Sequence, residues 1–154
     1  MTQPAASPSD PHELQRFVNA QRDTYDEALA ELRVGHKHGH WMWFVFPQVA
    51  GLGHSAIGAR YAIASRDEAV AYLAHPVLGP RLRACAEAVL GVTGKTAHDI
   101  FSYPDDLKLR SSMTLFARLA EPDSPFQRVL ERYYAGEEDP ATIAVLEAWA
   151  ATGA

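Results

Sequence analysis

Residues 65–91 read SRDEAVAYLAHPVLGPRLRACAEAVLG, and the parsing of this stretch decides the fold class. Ser65 with Glu68 three residues on is a capping box, the pattern in which each side chain satisfies a backbone N–H that a helix start leaves open. The helix it opens runs through Tyr72 and Leu73. Pro76 ends it, because proline has no N–H and disfavours helical geometry in the residue before it. A second helix follows at once from Leu78 to Leu90. Its Leu82, Cys85, Ala86 and Val89 recur at three- and four-residue steps and so share one face, and Gly91 comes after. Two helices stand back to back, without the alternation of apolar and polar residues that a half-buried strand requires.

The same punctuation extends outward. Upstream, Asp10-Pro11-His12-Glu13 predicts a helix start, with Asp10 as cap, Pro11 in the first turn and Glu13 reaching back. Leu14, Phe17, Val18, Tyr25, Ala28, Leu29 and Leu32 then form one stripe, which Gly35 closes. Downstream, Thr96 to Phe101 predicts a short helix, and Pro104-Asp105-Asp106 opens one carrying Leu107, Met113, Leu115, Phe116 and Leu119. Ser124-Pro125 begins the next, with Phe126, Val129, Leu130 and Tyr133 before Gly136. Asp139-Pro140 begins the last, with Ile143, Leu146 and Trp149. The expectation is an all-α fold: a compact single-domain bundle of about seven helices over residues 10–152, preceded by a flexible Pro/Ser-rich tail at 1–9.

Composition agrees with one globular domain. The chain has 154 residues, 47% hydrophobic and 21% charged, and a chain of this size buries about 70% of the surface its unfolded form exposes. Fourteen basic against nineteen acidic residues give a net charge of -5, which argues against an extended nucleic-acid footprint. A single cysteine, Cys85, forms no internal disulfide, suits a reducing cytoplasm and excludes a four-cysteine zinc site. The longest strongly apolar run, Trp41 to Phe46, is too short to span a membrane. The opening MTQPAASPSDP lacks the basic-then-apolar order of a signal peptide.

One stretch does not fit the helical pattern. Residues 36–54, HKHGHWMWFVFPQVAGLGH, hold four of the seven histidines and predict a structured loop with a short extended piece. On an extended backbone His36, His38 and His40 would face one side, as a metal site needs; otherwise they are surface groups or helix-end cations. Histidine is the side chain best suited to moving protons at physiological pH, so His40, just before the aromatic run, is a candidate for proton transfer as well as for a hydrogen bond inside the domain. The run Trp41-Met42-Trp43-Phe44-Val45-Phe46 is a core plug, or a platform on which Trp41 or Trp43 stacks a flat ligand. Gly51, Gly53 and Ser55 could cradle a phosphate with backbone N–H groups, or Ser55 could simply cap a helix through Ile57, Arg60 and Tyr61. No Gly-Lys-Ser/Thr ending and no third spaced glycine are present, so neither a P-loop nor a Rossmann turn is indicated.

A second polar segment lies at 104–114. On a helix, Lys108, Ser111 and Ser112 occupy neighbouring turns with Asp105 one turn earlier, a set able to hold a phosphate or handle a proton. The alternative is solvated capping by Asp105 and surface pairing by Lys108. Cys85 on its apolar face reads as packing rather than as a nucleophile. No cofactor and no metal ligand set are indicated.

Seven motifs carry a resemblance: Arg16-Phe17-Val18-Asn19-Ala20-Gln21, Gly35-His36-Lys37, His40 through Gln48, Gly51-Leu52-Gly53-His54-Ser55, Tyr61-Ala62-Ile63, His75-Pro76-Val77-Leu78-Gly79 and Lys108 through Phe116. From about Asp10 to Trp149 the chain resembles the bacterial domain-of-unknown-function family eighteen-ten, sometimes labelled calpastatin-like. The resemblance implies an all-helical domain and brings no established reaction, and the chain lacks the long disordered character of calpastatin. It implies that Lys37, His40 and Gln48 hold motif positions while His36 and His38 fill between them. A more remote likeness, in general layout alone, is to helical N-glycosidases acting on ADP-ribosylated substrates.

These readings converge on a small anionic, nucleotide-like ligand, bound or hydrolysed in a pocket between loop 37–55 and the helix at 105–112. Lys37, Lys108, Ser111, Ser112, Gly51, Gly53 and Ser55 would hold the anion. Trp41 or Trp43 would stack, Gln48 would add a polar contact, and His40 or Asp106 would transfer protons. The rival expectation is a non-catalytic protein-interaction module.

Overall fold

The computed structural model describes residues 9–53 and 55–153. The tail expected at 1–9 lies, apart from Ser9, outside the described residues, as does His54. The described chain folds into ten helices: α1 (Gln15–Gln21), α2 (Tyr25–Val34), α3 (Met42–Val45), α4 (Ala56–Tyr61), α5 (Arg66–Ala74), α6 (Leu78–Gly91), α7 (Ala97–Phe101), α8 (Asp105–Ala117), α9 (Pro125–Tyr134) and α10 (Pro140–Thr152). No strand forms among the described residues beyond a single parallel bridge between Val49 and Ile63. The all-α class therefore holds, with more helices than the seven expected.

Two differences account for much of the excess. The helix expected from Asp10 to Val34 is two helices, separated by a turn at residues 22–24. Each half still buries its part of the stripe, Phe17 on α1 and Ala28 and Leu32 on α2. The Asp10 to Glu13 segment is a turn rather than the first helical turn, with Glu13 at a φ of 53°. Asp10 caps nevertheless, its carboxylate accepting from the N–H of Leu14 at 2.8 Å and of Gln15 at 3.1 Å. The second difference is α3, one turn of helix inside the aromatic run expected to be loop.

Elsewhere the capping chemistry sets the boundaries. Ser65 Oγ accepts from the N–H of Glu68 at 3.1 Å, while the Glu68 carboxylate takes the N–H of Ala64 at 2.8 Å. Thr96 and Asp99 complete a reciprocal box at the start of α7. Ser124 and Asp139 cap α9 and α10, each followed by a proline in the first turn. Between α5 and α6 the chain turns a tight corner. His75 Nδ1 accepts from the N–H groups of Val77 and Leu78, and a Cβ on Gly79 would stand 2.2 Å from the Leu73 carbonyl oxygen. Only glycine lets the backbones approach so closely.

The core is threaded by aromatic rings. Phe17 meets Tyr72 edge-on at 5.1 Å between ring centres, Tyr72 meets Phe116 at 5.5 Å, and Phe116 meets Phe126 at 5.9 Å. This chain ties α1, α5, α8 and α9 together, in the offset geometries that ring quadrupoles favour. Cys85 lies inside the same core, where burial pushes its thiol up to about 12. That removes it as a nucleophile at neutral pH.

Candidate functional site

A cleft of about 600 Å³ opens between the segment 48–62 and α8, within the range that small-molecule sites occupy. One wall is the glycine-rich turn and α4. Here the N–H of Ile63 donates to the Gln48 carbonyl at 2.8 Å and the N–H of Ala50 to the Ile63 carbonyl at 2.8 Å, so two separated pieces of chain are stapled side by side. Gly51 turns the chain at a φ of 95°, a conformation natural to glycine. Arg16 fastens the far end of this wall: its guanidinium donates to the carbonyls of Arg60 at 2.8 Å and Ala62 at 3.1 Å and pairs with Glu68 at 2.7 Å. Ser55 accepts from the N–H of Gly58 at 3.0 Å and caps α4.

The opposite wall is one face of α8. Pro104 at its N-cap, Leu107 and Lys108 one turn on, and Ser111 a turn further all line the cleft. The start of α10 adds Asp139 and Ala141, and Trp43 and Tyr61 supply aromatic surface. Most of the lining is apolar, with a few polar groups among it.

Electrostatically the site is built on a shared carboxylate. Asp105 offers one oxygen to Lys37 at 2.7 Å and the other to Lys108 at 3.6 Å. Lys108, 26% exposed, carries its ammonium 4.8 Å from the centre of the Trp43 ring, a cation–π contact at the cleft. Lys37 is only 6% exposed and also donates to the Gly39 carbonyl at 2.5 Å, with its ammonium 5.0 Å from the Trp41 ring. The two lysines thus differ in kind, one sealed within the fold and one facing the cleft.

The sequence-predicted residues divide in the same way. Trp43, Gln48, Gly51, Gly53, Ser55, Lys108 and Ser111 line the cleft together. Lys37, Trp41 and Ser112 do not. Trp41 is 1% exposed and its indole N–H donates to Glu31 at 3.0 Å, so its ring is core and is closed to stacking. Ser112 is fully buried, without a hydrogen-bond partner for its hydroxyl among the described residues. One helical position separates it from Ser111, and that step of about 100° turns its side chain inward. The two proton-transfer candidates also fall outside the lining. His40 is exposed on the loop, and Asp106 sits 3.4 Å from His98 while its backbone carbonyl accepts from the Tyr134 hydroxyl at 2.6 Å. The His36 and His38 rings lie 4.2 Å apart at the surface, and no group of three or more His, Cys, Asp or Glu among the described residues is arranged to hold a metal.

Two residues escaped the sequence reading. Glu31 organises the histidine loop, its Oε1 accepting from the N–H groups of His38 at 2.6 Å and Gly39 at 2.9 Å as well as from Trp41. Burial alone would raise its carboxyl, but these donors outweigh it and hold Glu31 below the ordinary value. Asp139 was legible as the cap of α10, yet nothing local to it announces that it borders the cleft.

A family model described as a protein of unknown function (DUF1810) matches residues 11–146. The chain is also similar to the crystal structure of a conserved hypothetical protein from Mycobacterium tuberculosis, at 53% identity and a TM-score of 0.87, covering 88% of this chain and 97% of that one. No curated protein matches. Among the described residues no helix is long and apolar enough to cross a membrane.

Proposed function

The chain belongs to the DUF1810 family, and from that premise we propose that it binds a small anionic, nucleotide-like ligand in the cleft between the 48–62 segment and α8. The observation that carries this reading is Lys108. Two ammonium groups share the single carboxylate of Asp105, and the closer contact goes to the buried Lys37. Lys108 is left with a weak, solvent-accessible counter-ion at the edge of an apolar cleft, where an incoming anion competes well for it. Trp43, Tyr61 and the apolar walls suit a flat ring, while Gln48, Ser55 and Ser111 add polar groups to the lining.

Binding is the activity these groups support best. Neither His40 nor Asp106 borders the cleft, so the hydrolytic form of the reading, including the glycosidase likeness, lacks the acid and base assigned to it. A ligand that binds only the native state raises its thermal midpoint, which gives the test. Adenosine monophosphate, ADP-ribose and inorganic phosphate are titrated against the wild type and Lys108→Ala. Stabilisation by the nucleotides that disappears in the variant is the expected result. No response to any of the three overturns the reading. Protein contact is the second reading, favoured by Tyr103 and Leu107, which stand 72% and 49% exposed beside the cleft.

A further inference from the structure

Resting on that reading, we infer that the cleft has a second polar anchor, Asp139, which selects ligands presenting an N–H donor in addition to their anionic group. Asp139 is fixed from several sides. Its backbone N–H donates to Thr114 Oγ1 at 2.9 Å. One carboxylate oxygen, Oδ2, lies within bonding distance of three donors: the Ser111 hydroxyl at 2.9 Å, the Thr142 hydroxyl at 2.6 Å and the Thr142 N–H at 3.2 Å. Thr142 is fully buried and Ser111 nearly so, so the carboxylate is held in one orientation.

Among the described residues the bonds to this carboxylate all end on Oδ2 and none reaches Oδ1, and the ion pairs of the lysines and arginines go to other carboxylates. The nearby Arg110 is committed elsewhere, to the carbonyls of Glu137 at 2.9 Å and Glu138 at 2.7 Å. A helix cap needs only one of its oxygens, which Oδ2 already supplies. Asp139 lines the cleft, and its second oxygen is a preoriented acceptor backed only by neutral donors on the first. An ionised carboxylate accepts and cannot donate. It therefore disfavours a plain anion and favours an amino or ring N–H group. Lys108 and Ser111 are one helical turn apart on α8, and Ser111 holds Asp139, so the two anchors border one continuous cavity. A nucleotide whose base carries an exocyclic amine combines both features.

Adenosine monophosphate and purine riboside 5′-monophosphate differ only in that amine, and their affinities for the wild type are measured by calorimetry. The aminated nucleotide is expected to bind about tenfold more tightly, the usual worth of one hydrogen bond to a charged acceptor. In Asp139→Asn the carboxamide oxygen keeps the cap on α10 and the amide nitrogen replaces Oδ1, so the preference should fall below about twofold. Equal affinities in the wild type, with binding still lost in Lys108→Ala, overturn the Asp139 anchor and leave the anion site standing. If neither nucleotide binds the wild type, both readings fall. The wild-type comparison decides the matter even if the variant folds poorly.

Discussion

The histidine-aromatic loop at 36–46 and the glycine turn with α4 at 48–62 adjoin in sequence and draw on the same kinds of residue, yet they end in opposite states. In the first, the polar groups are answered from within and the Trp43 ring alone reaches the cleft: Glu31 takes the N–H groups of His38 and Gly39 and the Trp41 indole, and Asp105 takes Lys37. In the second, Gln48, Ser55, Gly51 and Gly53 border open volume, and Lys108 of α8 lines the same cleft. The two lysines on one carboxylate, 6% and 26% exposed, mark the boundary. A charge becomes available for binding when the fold leaves it partly answered, and residue type alone does not say which charge that is.

Truncating the paired tryptophans should give the largest effect. Trp41→Ala removes a buried ring and its hydrogen bond and should cost about 3–5 kcal/mol in denaturant unfolding. Trp43→Ala, at a half-buried ring, should cost about 1–2 kcal/mol. Equal losses would erase the distinction between sealed loop and open cleft.

The next contrast concerns the ion pair. Asp105→Ala leaves Lys37 buried without its counter-ion and should destabilise by about 3 kcal/mol. Lys37→Ala leaves Asp105 partnered by Lys108 and should cost about 1–2 kcal/mol. The reverse order would mean that Lys108, not Lys37, is the structural partner.

Glu31→Gln tests what holds the loop. Because the folded-state carboxyl lies below its ordinary value of 4.5, its stabilisation is complete above that value and is lost as pH falls through the lower, folded one. Wild-type stability should decline across that acid window, and Glu31→Gln should flatten the decline while costing about 1 kcal/mol at neutral pH. An unchanged acid profile would remove Glu31 from the account.

The smallest stability effect is expected at the residue on which the proposed binding most depends. Lys108→Ala should change unfolding by about 0.5 kcal/mol, as the loss of a long, solvent-accessible pair does, while removing the response to nucleotides. A large loss of stability would place Lys108 with the sealed region.

The helices were legible because their signals are local. Ser65, Thr96, Ser124 and Asp139 each act on the N–H group three residues on, so reading neighbours suffices. The break between α1 and α2 was not legible, since the apolar stripe continues across it and Gln21 is drawn into a tertiary contact with the Phe44 carbonyl at 2.6 Å. Among the residues that line the cleft, Gly51, Gly53, Ser55 and Lys108 stand out in the sequence by residue type. Trp41 and Trp43 could not be told apart, because the short helix α3 that turns them to different sides is itself a product of packing.

The sequence by itself determined an all-helical domain with its cap positions, and narrowed the interesting chemistry to two segments about fifty residues apart. Tertiary structure alone decided that those segments share a cleft, that Lys37 belongs to the interior and Lys108 to the cleft, and that Asp139 joins them from a third place in the chain. The reason is range. Caps and periodicity act within a turn or two of helix, whereas the fate of a side chain, answered or left open, is set by whatever distant element the fold brings against it.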